Sequence, residues 1–135
     1  MKTYYADANI FLRFLIQDNE AQFQEAKKYL QSAQQGKIKI ILITEIILEI
    51  NYVLRKVYDL SRQETAEKLK SLVQTPYIET LDRNALIEAF ENYLSLNVDL
   101  ADLILFEKAK ATGAEVLSFD KTDFKKIADF KSKSL

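Results

Sequence analysis

The residues of this chain best suited to chemistry are four carboxylates, Asp7, Glu49, Asp102 and Asp120, with Asp99 and Asp123 each three positions from one of them. The 135-residue sequence contains no His and no Cys. Their absence removes Ser-His-Asp triads, imidazole acid–base chemistry, thiolate nucleophiles and any His- or Cys-ligated zinc site. Hydrolytic chemistry must then run on carboxylates, Lys, Tyr or Ser/Thr, and a metal site must be rich in oxygen. Mg²⁺ and Mn²⁺ suit such ligands. Carboxylates held close together repel unless a cation or a shared proton intervenes. A divalent ion relieves that repulsion and can also activate a water for attack on a phosphodiester.

Composition frames where those acids can be placed. The chain is 48% hydrophobic, which suits one domain over residues 1–135 with a real core. Two Gly and one Pro leave little room for linkers or tight β-turns and favour a helix-rich α/β protein. The net charge of −1 gives no general pull toward nucleic acid, although acids gathered in one pocket would leave a more basic remainder. No apolar run reaches the roughly 18–20 residues that span a bilayer. The opening Met1–Asp7 is too short, and too soon interrupted by an acid, for a signal peptide. A soluble, cytoplasmic protein is expected, consistent with the absence of Cys.

The hydrophobic pattern predicts a strand at Lys2–Ala6 and helices at Ala8–Ile16 and Asn19–Gln35, the second stopped by Gly36. Ile38–Ile43 is a nearly all-apolar, β-branched run, as expected of a central strand buried on both faces. Thr44 can cap a helix to about Tyr58, and Ser61 another to about Gln74. Beyond Pro76 come a short strand at Tyr77–Glu79, helices at Asp82–Leu96 and Asp99–Thr112, and a strand at Glu115–Phe119. Asp120 opens a last short helix, and the tail from Lys131 is expected to fray or form a short terminal strand. Strands alternating with helices predict a three-layer α/β/α sandwich around a parallel sheet of four or five strands. Ligands of such sheets bind beyond the carboxyl ends of the strands, where Asp7 and Asp120 would each arrive.

A plainer role competes for every acid. Asp is a favoured N-cap, so Asp7, Asp99 and Asp120 could simply cap helices, and the Asp99–Asp102 and Asp120–Asp123 spacings resemble capping boxes. Asp102 fits that role less well, because its helical neighbours Ala101, Leu105, Phe106 and Ala109 are apolar or small. An ionised carboxylate on such a face calls for a basic partner or a metal. On the helix after Thr44, Ile46, Ile50, Val53 and Val57 form the expected apolar stripe, widened by Ile47 and Leu54. Glu49 borders that stripe and is the inward-facing candidate, whereas Glu45 reads as a first-turn acid favoured by the helix dipole.

Four segments together resemble the PIN-domain nucleases: Tyr5–Arg13 (YADANIFLR), Thr44–Leu54 (TEIILEINYVL), Asp99–Leu105 (DLADLIL) and Ser118–Phe124 (SFDKTDF). More narrowly, they are similar to the VapC-type toxins of toxin–antitoxin pairs. The resemblance implies a Mg²⁺- or Mn²⁺-dependent endoribonuclease with Asp7, Glu49, Asp102 and Asp120 as catalytic and metal-binding residues. It places Asn9, Thr44 and Ser118 in supporting roles and Asp99 and Asp123 in more variable acidic positions. Ala8, Leu103 and Ser118 depart from the commoner family residues, and none of these departures removes an acid.

The same resemblance implies RNA as substrate, a homodimer built through the early helices and those near Glu49, and a cognate antitoxin protein covering the acidic pocket. Arg13, Arg55, Lys56, Lys121, Lys125 and Lys126 are candidates to meet the RNA backbone, though such charges are more often solvated faces. The aromatics Tyr4, Tyr5, Phe11, Phe14 and Tyr52 read as core or interface. Two other functions fit the composition. One is a non-catalytic RNA- or protein-binding module, which the full acidic set disfavours. The other is a different metal-dependent phosphoryl hydrolase or a receiver-like phosphoacceptor, which would want an acidic pair where Asp7 stands alone.

Overall fold

Three short strands, β1 (Lys2–Tyr5), β2 (Ile38–Ile41) and β3 (Ile78–Glu79), form a parallel sheet in the order β1-β2-β3. The computed structural model describes residues 1–133; Ser134 and Leu135 lie outside it, and so does part of the expectation for the tail. Between and after the strands run α1 (Ala8–Leu15), α2 (Glu20–Gln34), α3 (Thr44–Lys56), α4 (Arg62–Gln74), α5 (Arg83–Ser95), α6 (Leu100–Ala111) and α7 (Lys121–Lys133). The chain divides into two compact units, residues 1–81 and residues from Asp82 onward.

In the first unit β2 is the central strand, as its apolar β-branched sequence requires. Lys2 pairs with Ile38 and Tyr5 with Ile41, while Ile40 pairs with Ile78. Two further hydrogen bonds, Ala6 N to Ile41 O (3.3 Å) and Leu42 N to Glu79 O (2.8 Å), extend the sheet past the strand ends. Asp7 therefore emerges at the carboxyl edge of the sheet, where the next residues turn into α1. Helix α1 packs on α2 and α3, α2 packs on β2, and α4 packs on α3. Phe11, Ile40, Leu42, Ile47, Ile50, Leu54, Leu69 and Ile78 are fully buried, each stabilising the fold by roughly 1.5–3 kcal/mol. Two helix ends follow directly from sequence. Gly36 closes α2 at φ +75°, and Ser61 with Glu64 makes a reciprocal capping box on α4.

Two expectations for α3 need correction. Its N-cap is Ile43, which has no capping side chain, and Thr44 is instead the first helical residue. Its buried stripe is Ile47, Ile50 and Leu54, so the stripe is rotated from the predicted one and leaves Val57 mostly exposed. Glu49 shares that exposure and does not face inward.

The second unit is helical. α6 packs on α5 and on α7, and its buried side chains Leu100, Leu103, Ile104 and Glu107 recur with helical spacing. The predicted strand at Glu115–Phe119 does not form. After Gly113 (φ +73°) ends α6, residues 114–118 run without regular structure, and Leu117 and Phe119 are fully exposed. Apolar alternation supplies one face of a strand, but a strand also needs a ladder partner for its backbone groups; among the described residues this segment has none, so the sheet has three strands rather than four or five. At the other end, Lys131 and Ser132 are helical rather than frayed. No helix of the described residues is long and apolar enough to cross a membrane.

Candidate metal centre

Two helix starts bring the acids of the second unit together. Asp99 occupies the N-cap position of α6, and its carbonyl accepts from Asp102 N and Leu103 N, both at 3.1 Å. Its side chain makes no capping bond. Asp102 then projects from the first turn of α6, half-buried. Asp120 stands just ahead of α7 and Asp123 lies in its first turn. Ser118 fixes the approach to α7, because its hydroxyl accepts from the Asp120 backbone N–H at 3.0 Å.

One carboxylate oxygen from each of Asp102, Asp120 and Asp123 lies within 4.8 Å of the other two. Among the described residues no lysine or arginine pairs with any of them. Burial raises the Asp102 pKa above the usual carboxylate value, and the charges of Asp99, Asp123 and Asp120 raise it further. A cluster of this kind, made only of oxygen donors and lacking a basic partner, fits a hard divalent cation. The two helix N-termini contribute some positive potential but do not neutralise three or four carboxylates.

The first unit presents its acids differently. Asp7 is the N-cap of α1, and one of its carboxylate oxygens accepts from Asn9 N at 3.0 Å. The plain capping role is thus realised, and the other oxygen is not used in it. Asp7, Asn9, Glu45 and Glu49 are all exposed, so burial does not separate Glu49 from Glu45. Arg13 is engaged locally, donating to Asp18 (3.4 Å) and Tyr58 (3.3 Å), and Arg55 donates to Leu60 O at 2.8 Å. Lys56, Lys121, Lys125 and Lys126 are exposed. Phe11 is core, whereas Tyr5 and Tyr52 are largely exposed.

Sequence reasoning kept Asp123 at the margin, and the structure sets it beside Asp102 and Asp120. It also overlooked Glu107, which is 4% exposed, and Lys131, its ion-pair partner. The signal was present: Leu100, Leu103, Ile104 and Glu107 lie on one helical stripe, so the last of them had to be buried as well.

The family model of the PIN domain matches residues 4–130, nearly the whole chain and both units. No curated relative and no solved structure matches it significantly. The chain belongs to the PIN-domain family, whose members are nucleases that typically act with divalent metals.

Proposed function

We propose that this PIN domain, residues 1–135 working as one enzyme, is a Mg²⁺- or Mn²⁺-dependent endoribonuclease and the toxin of a VapC-type toxin–antitoxin pair. The observation that carries the catalytic part is the convergence of Asp102, Asp120 and Asp123 without a basic partner among the described residues, with Asp99 close enough to Asp102 to raise its pKa. A divalent ion bound there supplies positive charge against the scissile phosphate and lowers the pKa of a water. Asp102, Asp120 and Asp123 would hold the ion directly or through water. Ser118 keeps Asp120 in place through the backbone of the same residue. Asp7 and Glu49 are assigned to the catalytic set from their family motifs, with Asn9 and Thr44 supporting them. Glu49, exposed on α3, is assigned proton acceptance.

The RNA substrate, the cognate antitoxin and the homodimer come from resemblance to the VapC-type toxins. Exposed Lys121, Lys125 and Lys126, which follow Asp120, are suited to the RNA backbone. The test is direct. Purified protein with Mn²⁺ should cut cellular RNA, and its expression should arrest growth. Asp102→Asn and Asp7→Asn should abolish both effects. Equal activity in the variants would exclude carboxylate–metal catalysis, and RNA binding without cleavage or Mn²⁺ binding would identify a non-catalytic module. Rescue of growth by the product of a short adjacent reading frame would identify the antitoxin.

A further inference from the structure

We propose that Lys131 is a positioning residue: clasped between Glu107 and Glu88, its ammonium fixes α7 against the α5–α6 pair and so holds Asp120 and Asp123 opposite Asp102. The inference rests on the reading of those three aspartates as cation ligands. Lys131 Nζ lies 2.7 Å from Glu107 Oε1 and 2.7 Å from Glu88 Oε2. Asn92 Nδ2 donates to the same Glu107 oxygen at 3.3 Å. Glu88 and Asn92 belong to α5, Glu107 to α6 and Lys131 to α7, so three helices meet at one ion pair. Glu107 is 4% and Asn92 6% exposed, and a carboxylate so deep is costly unless paired. Burial alone lowers the Lys131 pKa, but the hydrogen bonds and charges of Glu107 and Glu88 outweigh it and leave the pKa raised. The Lys131 ammonium is therefore charged throughout the neutral range.

Its place along the helices gives it leverage. The acidic cluster sits at the N-terminal ends of α6 and α7, and the clasp lies further along both. From Asp102 to Glu107 is about 8 Å of helix, and from Asp123 to Lys131 about 12 Å. Ile127, fully buried, lies between the cluster and the clasp on α7. Like charges push the two helices apart at one end while the ion pair binds them at the other. Without Lys131, repulsion in a cation-free cluster opens the first turn of α7.

Positioning and simple charge attraction predict opposite results. Removing a cation about a Debye length from the cluster strengthens Mn²⁺ binding on Coulomb grounds, whereas losing the clasp weakens it. The experiment titrates Mn²⁺ alone into wild type, Lys131→Met, Lys131→Arg, Glu107→Gln and a core control, Leu69→Ala. Binding is read by calorimetry or electron paramagnetic resonance at a temperature where circular dichroism shows each protein folded. Lys131→Met and Glu107→Gln should weaken Mn²⁺ binding about tenfold, with Lys131→Arg close to wild type and Leu69→Ala within about twofold. Should Lys131→Met fail to fold, Lys131→Gln carries the same expectation, because it keeps an amide donor for the two carboxylates and removes the cation, which charge attraction alone predicts to tighten binding. Unchanged or tighter binding in Lys131→Met, Lys131→Gln or Glu107→Gln, or an equal loss in Leu69→Ala, overturns the positioning role while leaving the metal reading standing. Absence of Mn²⁺ binding by wild type overturns both.

Discussion

The acids of the two units live under opposite conditions. Asp7 stands at the carboxyl edge of the sheet, exposed, with one oxygen occupied by the Asn9 N–H at the start of α1. Its charge is already useful there, since it completes a helix N-terminus. Asp102 is half-buried, lacks a basic partner among the described residues, and has its pKa raised by burial and then by Asp99, Asp123 and Asp120. Asp7 is held by a backbone N–H, whereas Asp102, Asp120 and Asp123 are crowded together without a basic partner among the described residues. Crowding without compensation, more than placement beside a strand or helix, distinguishes residues that call for a cation from residues that merely cap.

The strongest test of that contrast compares Asp102→Asn with Asp7→Asn. RNA cleavage should fall at least about 100-fold in both, but Mn²⁺ affinity should fall far more in Asp102→Asn. Equal losses of Mn²⁺ affinity, measured by calorimetry, would erase the distinction between the units. A smaller effect concerns pH. Cation binding requires the Asp102 carboxylate, so Mn²⁺ affinity should decline as pH falls through the raised Asp102 pKa, at higher pH than an ordinary carboxylate would give. For the metal-free protein the sign reverses. A carboxyl whose folded pKa is raised favours folding below its unfolded value and loses that contribution as pH rises through the folded pKa. Metal-free Asp102→Asn should accordingly melt a few degrees above wild type at pH 7, with the gap closing in acid. A lower Tm by scanning calorimetry would mean that the cluster carries no uncompensated repulsion. Smaller again, Ser118→Ala removes the acceptor of the Asp120 N–H. At about 0.5–1.5 kcal/mol for one hydrogen bond, Mn²⁺ affinity should weaken roughly two- to tenfold.

Much of this could be read from residue order. Ile38–Ile41 is the central strand its β-branched run predicts, although Lys39 is exposed on one face, and Ser61 with Glu64 spells out its own cap. Asp102 stood out because its helical neighbours are apolar, and the structure finds it half-buried among other acids. Where sequence reasoning failed, the deciding partner was distant in the chain. The α6 stripe marks Glu107 for burial, but the partner that makes a buried carboxylate tolerable, Lys131, is 24 positions later. The buried stripe of α3 lies a fraction of a turn from the expected one, because Ile46, Ile47, Val53 and Leu54 offer two nearly equivalent apolar faces and only packing selects one. Glu115–Phe119 has the composition of a strand, and composition does not supply the neighbour a strand must hydrogen-bond.

That last segment has a consequence for handling the protein. Leu117 and Phe119 are fully exposed on residues 114–119, which no helix or ladder protects. A protease that cuts after large apolar residues needs an extended, accessible stretch of backbone, and this one is ready-made. Brief digestion with chymotrypsin should nick the native chain first after Leu117 or Phe119, separating α6 from the helix that carries Asp123. Mass spectrometry of the first fragments would locate the cut, and an initial cut elsewhere would show that the segment is shielded in solution.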